Sequence, residues 1–84
     1  GRFPYPLFRL RGQNQQALGE FFSALEGVRA IQMFGDSLHI SFTVTPKAQD
    51  WQEWRLATRG NLTQWEPFPP SMEDVFLALM EEQK

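Results

Sequence analysis

The side chains best able to do chemistry are few. His39 is the chain's one histidine, and there is no cysteine. A zinc or non-haem iron site built from imidazole and thiolate needs several such ligands, so none is expected here. His39 falls in residues 38–44, where Leu38, Ile40, Phe42 and Val44 alternate with His39, Ser41 and Thr43. It therefore points away from the apolar side of a strand, where an ordinary surface role is expected rather than acid–base catalysis. We read it as an exposed or interface histidine. Asp50 and Glu53 sit at helical spacing near Lys47, which suits ordinary side-chain pairing. Glu73-Asp74 and Glu81-Glu82 lie opposite an apolar stripe, as a solvated helix face. Neither the GxxxxGK[ST] nor the GxGxxG pattern occurs, and no serine has a histidine placed to suggest a triad. The sequence thus offers no catalytic, cofactor-binding or metal-ligating residue.

Aromatic residues are the stronger signal. Three tryptophans, Trp51, Trp54 and Trp65, fall within fifteen residues. At least one should fill the core. Together they exceed what a thin helix-on-sheet layer needs, and tryptophan is enriched where proteins meet. All three are therefore candidate interface residues. Lys and Arg number 8 against 10 Asp and Glu, giving a net charge of −2 with no basic block, which argues against nucleic acid. No apolar run approaches the roughly 18 residues of a spanning helix.

The elements that must position these residues can be read from hydrophobic period and punctuation. Residues 5–11 put Phe8 and Leu10 on one side and Arg9 and Arg11 on the other, a half-buried strand. Asn14 can cap a helix over 15–26, with Leu18, Phe21, Phe22 and Leu25 on one stripe and Gly27 as its stop. Residues 28–34 and 38–44 form a hairpin around Gly35-Asp36-Ser37. In its first arm Val28 and Ala30 oppose Arg29, Ile31 and Met33, which leaves the register open. Thr45-Pro46 looks like the N-cap and first residue of a helix ending near Gly60, with Ala48, Trp51, Trp54 and Thr58 inward. Residues 62–68 make a fourth strand. Ser71 opens a last helix in which Met72, Val75, Phe76, Leu79 and Met80 share a stripe. The order β-α-β-β-α-β plus a C-terminal helix is that of an α+β, ferredoxin-like sandwich, in one domain over 1–84. Phe22 on the first helix's stripe and Phe42 on the apolar side of its strand are predicted to share one core between the first helix and the sheet.

Three stretches also resemble a known family. Pro70-Ser71-Met72-Glu73-Asp74-Val75-Phe76-Leu77-Ala78-Leu79-Met80 is similar to the "PSLEDVFLALT" signature that closes ATP-binding subunits of ABC transporters of the drug- and polysaccharide-export type. Ala24-Leu25-Glu26-Gly27-Val28-Arg29 resembles that family's "LPGV" helix-to-strand turn, and Phe34-Gly35-Asp36-Ser37-Leu38-His39-Ile40 its "GDRLHV" hairpin. The three occur in the family's order, whereas residues 51–65 match no pattern of it. The resemblance implies a fragment of a larger protein: a non-catalytic accessory domain of a transporter ATPase. ATP and Mg would be bound elsewhere in that parent, and the phosphate loop, signature motif, acidic base and switch histidine would lie outside the fragment. His39 matches the hairpin histidine, not the switch histidine. The implied partners are the ATP-binding core of the same protein, a second copy of the chain and, indirectly, the membrane permease subunit. The implied location is cytoplasmic, at the membrane through that complex. In this setting the stripe of Met72, Phe76 and Met80 needs a surface to bury against, either this sheet or a neighbouring module.

The element order permits other functions. A small-ligand sensor shares it, and is the main alternative. An RNA-binding module would carry outward aromatics on its central strands, which residues 37–42 lack. An acyl phosphate hydrolase would need an anion-binding loop after the first strand, for which Arg11-Gly12-Gln13-Asn14 is a feeble candidate.

Overall fold

The computed structural model describes residues 5–67. They form β1 (Leu7–Gly12), α1 (Gln15–Ser23), β2 (Val28–Phe34), β3 (Ser37–Phe42), α2 (Ala48–Ala57) and β4 (Leu62–Pro67). The strands make one antiparallel sheet in the order β2-β3-β1-β4, which is the ferredoxin-like arrangement. The expected last helix, with Ser71, Met72, Phe76 and Met80, lies outside the described residues.

Both helices cover the same face. Phe8 and Leu10 of β1, Leu38, Ile40 and Phe42 of β3, and Leu62 of β4 meet Leu18 and Phe22 of α1 and Trp51 of α2 in one core. Burying each of these large side chains stabilises the fold by about 1.5–3 kcal/mol. The shared Phe22–Phe42 core is as expected, their rings 6.5 Å apart and edge-on.

Two bulges settle the registers. Val28 pairs with Phe42 but Ala30 with Ser41, so Arg29 is an extra residue in β2. The slip places Val28, Ile31 and Met33 on one face although their spacing is not alternate. Val28 and Ile31 pack against the core, and the Met33 sulfur approaches Gly19 of α1. A second irregularity between Arg11 and Gly12, opposite Gln64 and Leu62, turns both Leu62 and Trp65 inward.

Several expected boundaries move. α1 ends at Ser23 rather than near Glu26, because the amides of Ala24 and Leu25 bond to Phe21 and Phe22 in tightened turns. Gly27 is consequently not the helix stop; its carbonyl accepts from the Thr43 amide. β3 ends at Phe42, whose amide bonds to Pro6, and Val44 is 74% exposed instead of inward. α2 starts at Ala48, with Lys47 rather than Thr45 as the cap residue, since the Asp50 carboxylate accepts from the Lys47 amide at 2.8 Å. That start leaves Ala48 exposed. The Asn14 cap is as expected, its side chain accepting from the Ala17 amide at 3.0 Å.

Candidate functional site

Crossovers and turns alternate between the two ends of the sheet, and the ends differ. At one end the loops β1–α1 and α2–β4 are tied together. Asn61 accepts from the Asn14 amide at 2.7 Å and donates to the Asn14 carbonyl at 2.9 Å, while the Gln13 amide bonds to the Asn61 carbonyl. These contacts occupy two amides of the loop considered for anion binding. A Cβ on Gly12 would meet the Asn61 carbonyl oxygen at 2.3 Å, so the loop packs directly on a neighbouring backbone.

At the opposite end the structure is open. The α1–β2 turn, the end of β3 and the loop into α2 enclose a groove of about 310 Å³. Leu25, Val28, Phe42 and Trp54 give it an apolar floor, and Thr43, Val44, Pro46, Lys47 and Asp50 form its rim. Its volume lies at the small end of ligand sites, and apolar lining with a few polar groups is their usual character. The start of β1 lies at this same end, where Pro6 bonds to Phe42, and β4 finishes there with Pro67 opposite Phe8. No signal in the residues pointed to this groove. Val44, once seen to lie beyond the strand, would have been the clue.

The three tryptophans come together but are not equivalent. Trp51 is stacked on Trp65 at 5.5 Å and set edge-on to Trp54 at 4.9 Å, with Phe8 and Phe42 also against it. It is 4% exposed, so it belongs to the core and offers a partner no surface, which corrects its place among the interface candidates. Trp54 and Trp65 are half-buried; Trp54 lies parallel to Phe42 at 5.8 Å and presents its remaining surface to the groove. Met72, Phe76 and Met80 lie outside the described residues.

The face of the sheet away from the helices is polar. One row crosses all four strands, from Gln32 through His39 and Arg9 to Glu66. Arg9 donates to Glu66 through Nε at 2.9 Å and Nη2 at 2.6 Å. The His39 ring lies 4.2 Å from that of Phe34, as a strand histidine on the outward side. The next row holds Phe34, Ser37, Arg11 and Gln64. Among the described residues the Arg11 side chain lies 3.5 Å from Gln64 and 3.7 Å from Asp36. Among the described residues no group of three or more His, Cys, Asp and Glu is placed to hold a metal, and no helix is long and apolar enough to cross a membrane.

No family model, curated protein or solved structure matches the chain.

Proposed function

We propose that this chain is a non-catalytic accessory domain of an ABC transporter ATPase subunit, acting through contacts with the ATP-binding core or with its dimer partner. The observation that carries the reading is the closing stretch Pro70–Met80, with its two companions upstream. Of those companions, residues 24–29 lie at the α1–β2 turn and residues 34–40 at the β2–β3 hairpin. These are the kinds of element the resemblance implies. The proposal includes a last helix beginning at Ser71, with ATP and Mg bound by the parent protein outside this chain.

The groove is the contact surface that suits this role. It adjoins the entry to β1 and the exit from β4. The exposed Val44 and the half-buried Trp54 supply apolar area without a charged centre, as protein contacts favour. The coding sequence upstream of Gly1 tests the reading most directly. It should encode a phosphate loop, a signature motif, an acidic base and a switch histidine; an upstream sequence without them would overturn the proposal. In the parent protein, Val44→Asp should lower transport while leaving the melting temperature of the 84-residue chain within about 3 °C, because exposed substitutions usually change stability by no more than about 0.5 kcal/mol.

The groove also favours the second reading, a small-ligand sensor. In that case an apolar ligand should raise the melting temperature with concentration, and Trp54→Ala should abolish the shift.

A further inference from the structure

We propose that the outer edge of β2 pairs antiparallel with β2 of a second copy of the chain, about a two-fold axis at Gln32, so that the two sheets become one. This concerns the edge of the sheet and not the groove, and it holds whether or not the functional reading does.

The sheet order makes β2 and β4 the two edges. An edge strand offers a row of unpaired amides and carbonyls, and proteins usually blunt it with proline, charge or a bulge. β4 is blunted in all three ways: it bulges between Leu62 and Gln64, carries Glu66 and closes on Pro67. β2 has its bulge and its one charge together at Arg29. Residues 30–34, Ala-Ile-Gln-Met-Phe, are regular, uncharged and free of proline. Met33 and Phe34, on opposite faces, are 55% and 48% exposed. Among the described residues no strand pairs with this edge.

The hairpin fixes which backbone groups are on offer. Phe34 and Ser37 pair across only two residues, so they are a pair that exchanges both hydrogen bonds. Counting back by alternation, Gln32 and Ala30 also bond to β3, whereas Ile31 and Met33 turn their N–H and C=O groups outward. A two-fold axis at Gln32 sets Ile31 of each copy opposite Met33 of the other. Each such pair exchanges both bonds, and the outward groups of residues 31 and 33 are then all satisfied. The contact is isologous and closed, as dimers commonly are.

The side chains fit the same register, because opposed residues share a face of the sheet. On the helix side Ile31 meets Met33, apolar against apolar. On the open side Ala30 meets Phe34, small against large, and the two Gln32 amides face each other. Just beyond, the Arg29 end of each copy comes beside the Gly35-Asp36 turn of the other, bringing opposite charges together. Moving the axis to Ile31, the next register with matched bonds, would carry the pairing into the bulge and set Arg29 against Met33. Moving it to Met33 would run the pairing into the hairpin turn.

The absence of cysteine allows a disulfide test of this register. Opposed residues that do not exchange hydrogen bonds have Cα atoms about 4.5 Å apart, within disulfide reach. Gln32→Cys should therefore form a disulfide-linked dimer in a glutathione buffer, read by non-reducing mass spectrometry. Ala30→Cys, on the same face, would lie about 13 Å from its own copy and should not. Sedimentation velocity of the unaltered chain should show monomer and dimer in exchange, with dimer prevailing only towards about 0.5 mM, since one strand pairing is at the small, weak end of interfaces. Met33→Lys, which charges an exposed edge position, should weaken association at least tenfold, with circular dichroism showing that the fold is kept. The cysteine pair tests the register without that variant. A chain that stays monomeric throughout, a dimer indifferent to Met33→Lys, or Ala30→Cys linking as readily as Gln32→Cys would each overturn the proposal.

Discussion

On β3, Leu38, Ile40 and Phe42 enter an aromatic core, while Ser37, His39 and Ser41 of the same strand stand in a polar ladder. The two sides of the sheet share a backbone and differ in almost everything else. On the helix side, rings meet edge-on, tilted or stacked at 5 to 6 Å, and Phe22, Leu10, Leu18, Leu38 and Ile40 have no solvent contact. On the open side, contacts are pairs between flexible, half-exposed groups such as Arg9 and Glu66. Dense packing makes the energy of one residue depend on many neighbours, whereas exposed pairs act singly and in high dielectric. The helix side should therefore be intolerant of change and the open side permissive.

The largest effect is expected where the core is deepest. Phe22→Ala or Phe42→Ala should each cost about 3–5 kcal/mol, a large share of what holds a domain of this size together. Urea titration measures it; a loss under about 1 kcal/mol would erase the contrast between the faces. Gly12→Ala comes next. Its new methyl would press on the Asn61 carbonyl oxygen and on Leu18, and an overpacked site of this kind costs about 1–3 kcal/mol. If the melting temperature holds, the clasp between the two crossover loops is looser than its geometry indicates.

Asn14→Ala removes the α1 cap and should cost about 0.5–2 kcal/mol. Because the Asn61 side chain bonds to the Asn14 backbone and not to its side chain, Asn61→Ala should be nearly additive with it, and a double-mutant cycle checks this. On the open face, Arg9→Met with Glu66→Gln should change stability by no more than about 1 kcal/mol. A shift comparable to Phe22→Ala would show that the polar ladder is as much a core as the other side. The smallest effect, and the one of opposite sign, is at the end of α2. Gly60 bonds back to Arg55 and Arg59 to Leu56, the helix-ending pattern that favours glycine, yet Arg59 occupies the left-handed position at φ 55°. Arg59→Gly should relieve that strain and stabilise the chain by up to about 1 kcal/mol.

The element order, the Asn14 cap, the alternation of residues 38–42 and the shared Phe22–Phe42 core were all legible in the sequence. Each depends on neighbours a few residues away or on a period that the chain itself displays. The sheet order β2-β3-β1-β4 is implied by the βαββαβ pattern once both crossovers place their helices on one face. What tertiary structure decided are matters of pairing between distant segments. The bulge at Arg29 exists because β3 supplies one partner where β2 has two residues, and no local pattern in β2 reports that. Trp51 and Trp54 have the same composition and lie three residues apart. Trp51 is buried because Trp65 stacks on it from β4, while Trp54 is left half-buried in the floor of the groove. That groove is bounded by segments brought from residues 25–28, 42–47 and 50–54, so its volume and lining come into existence only when the chain closes.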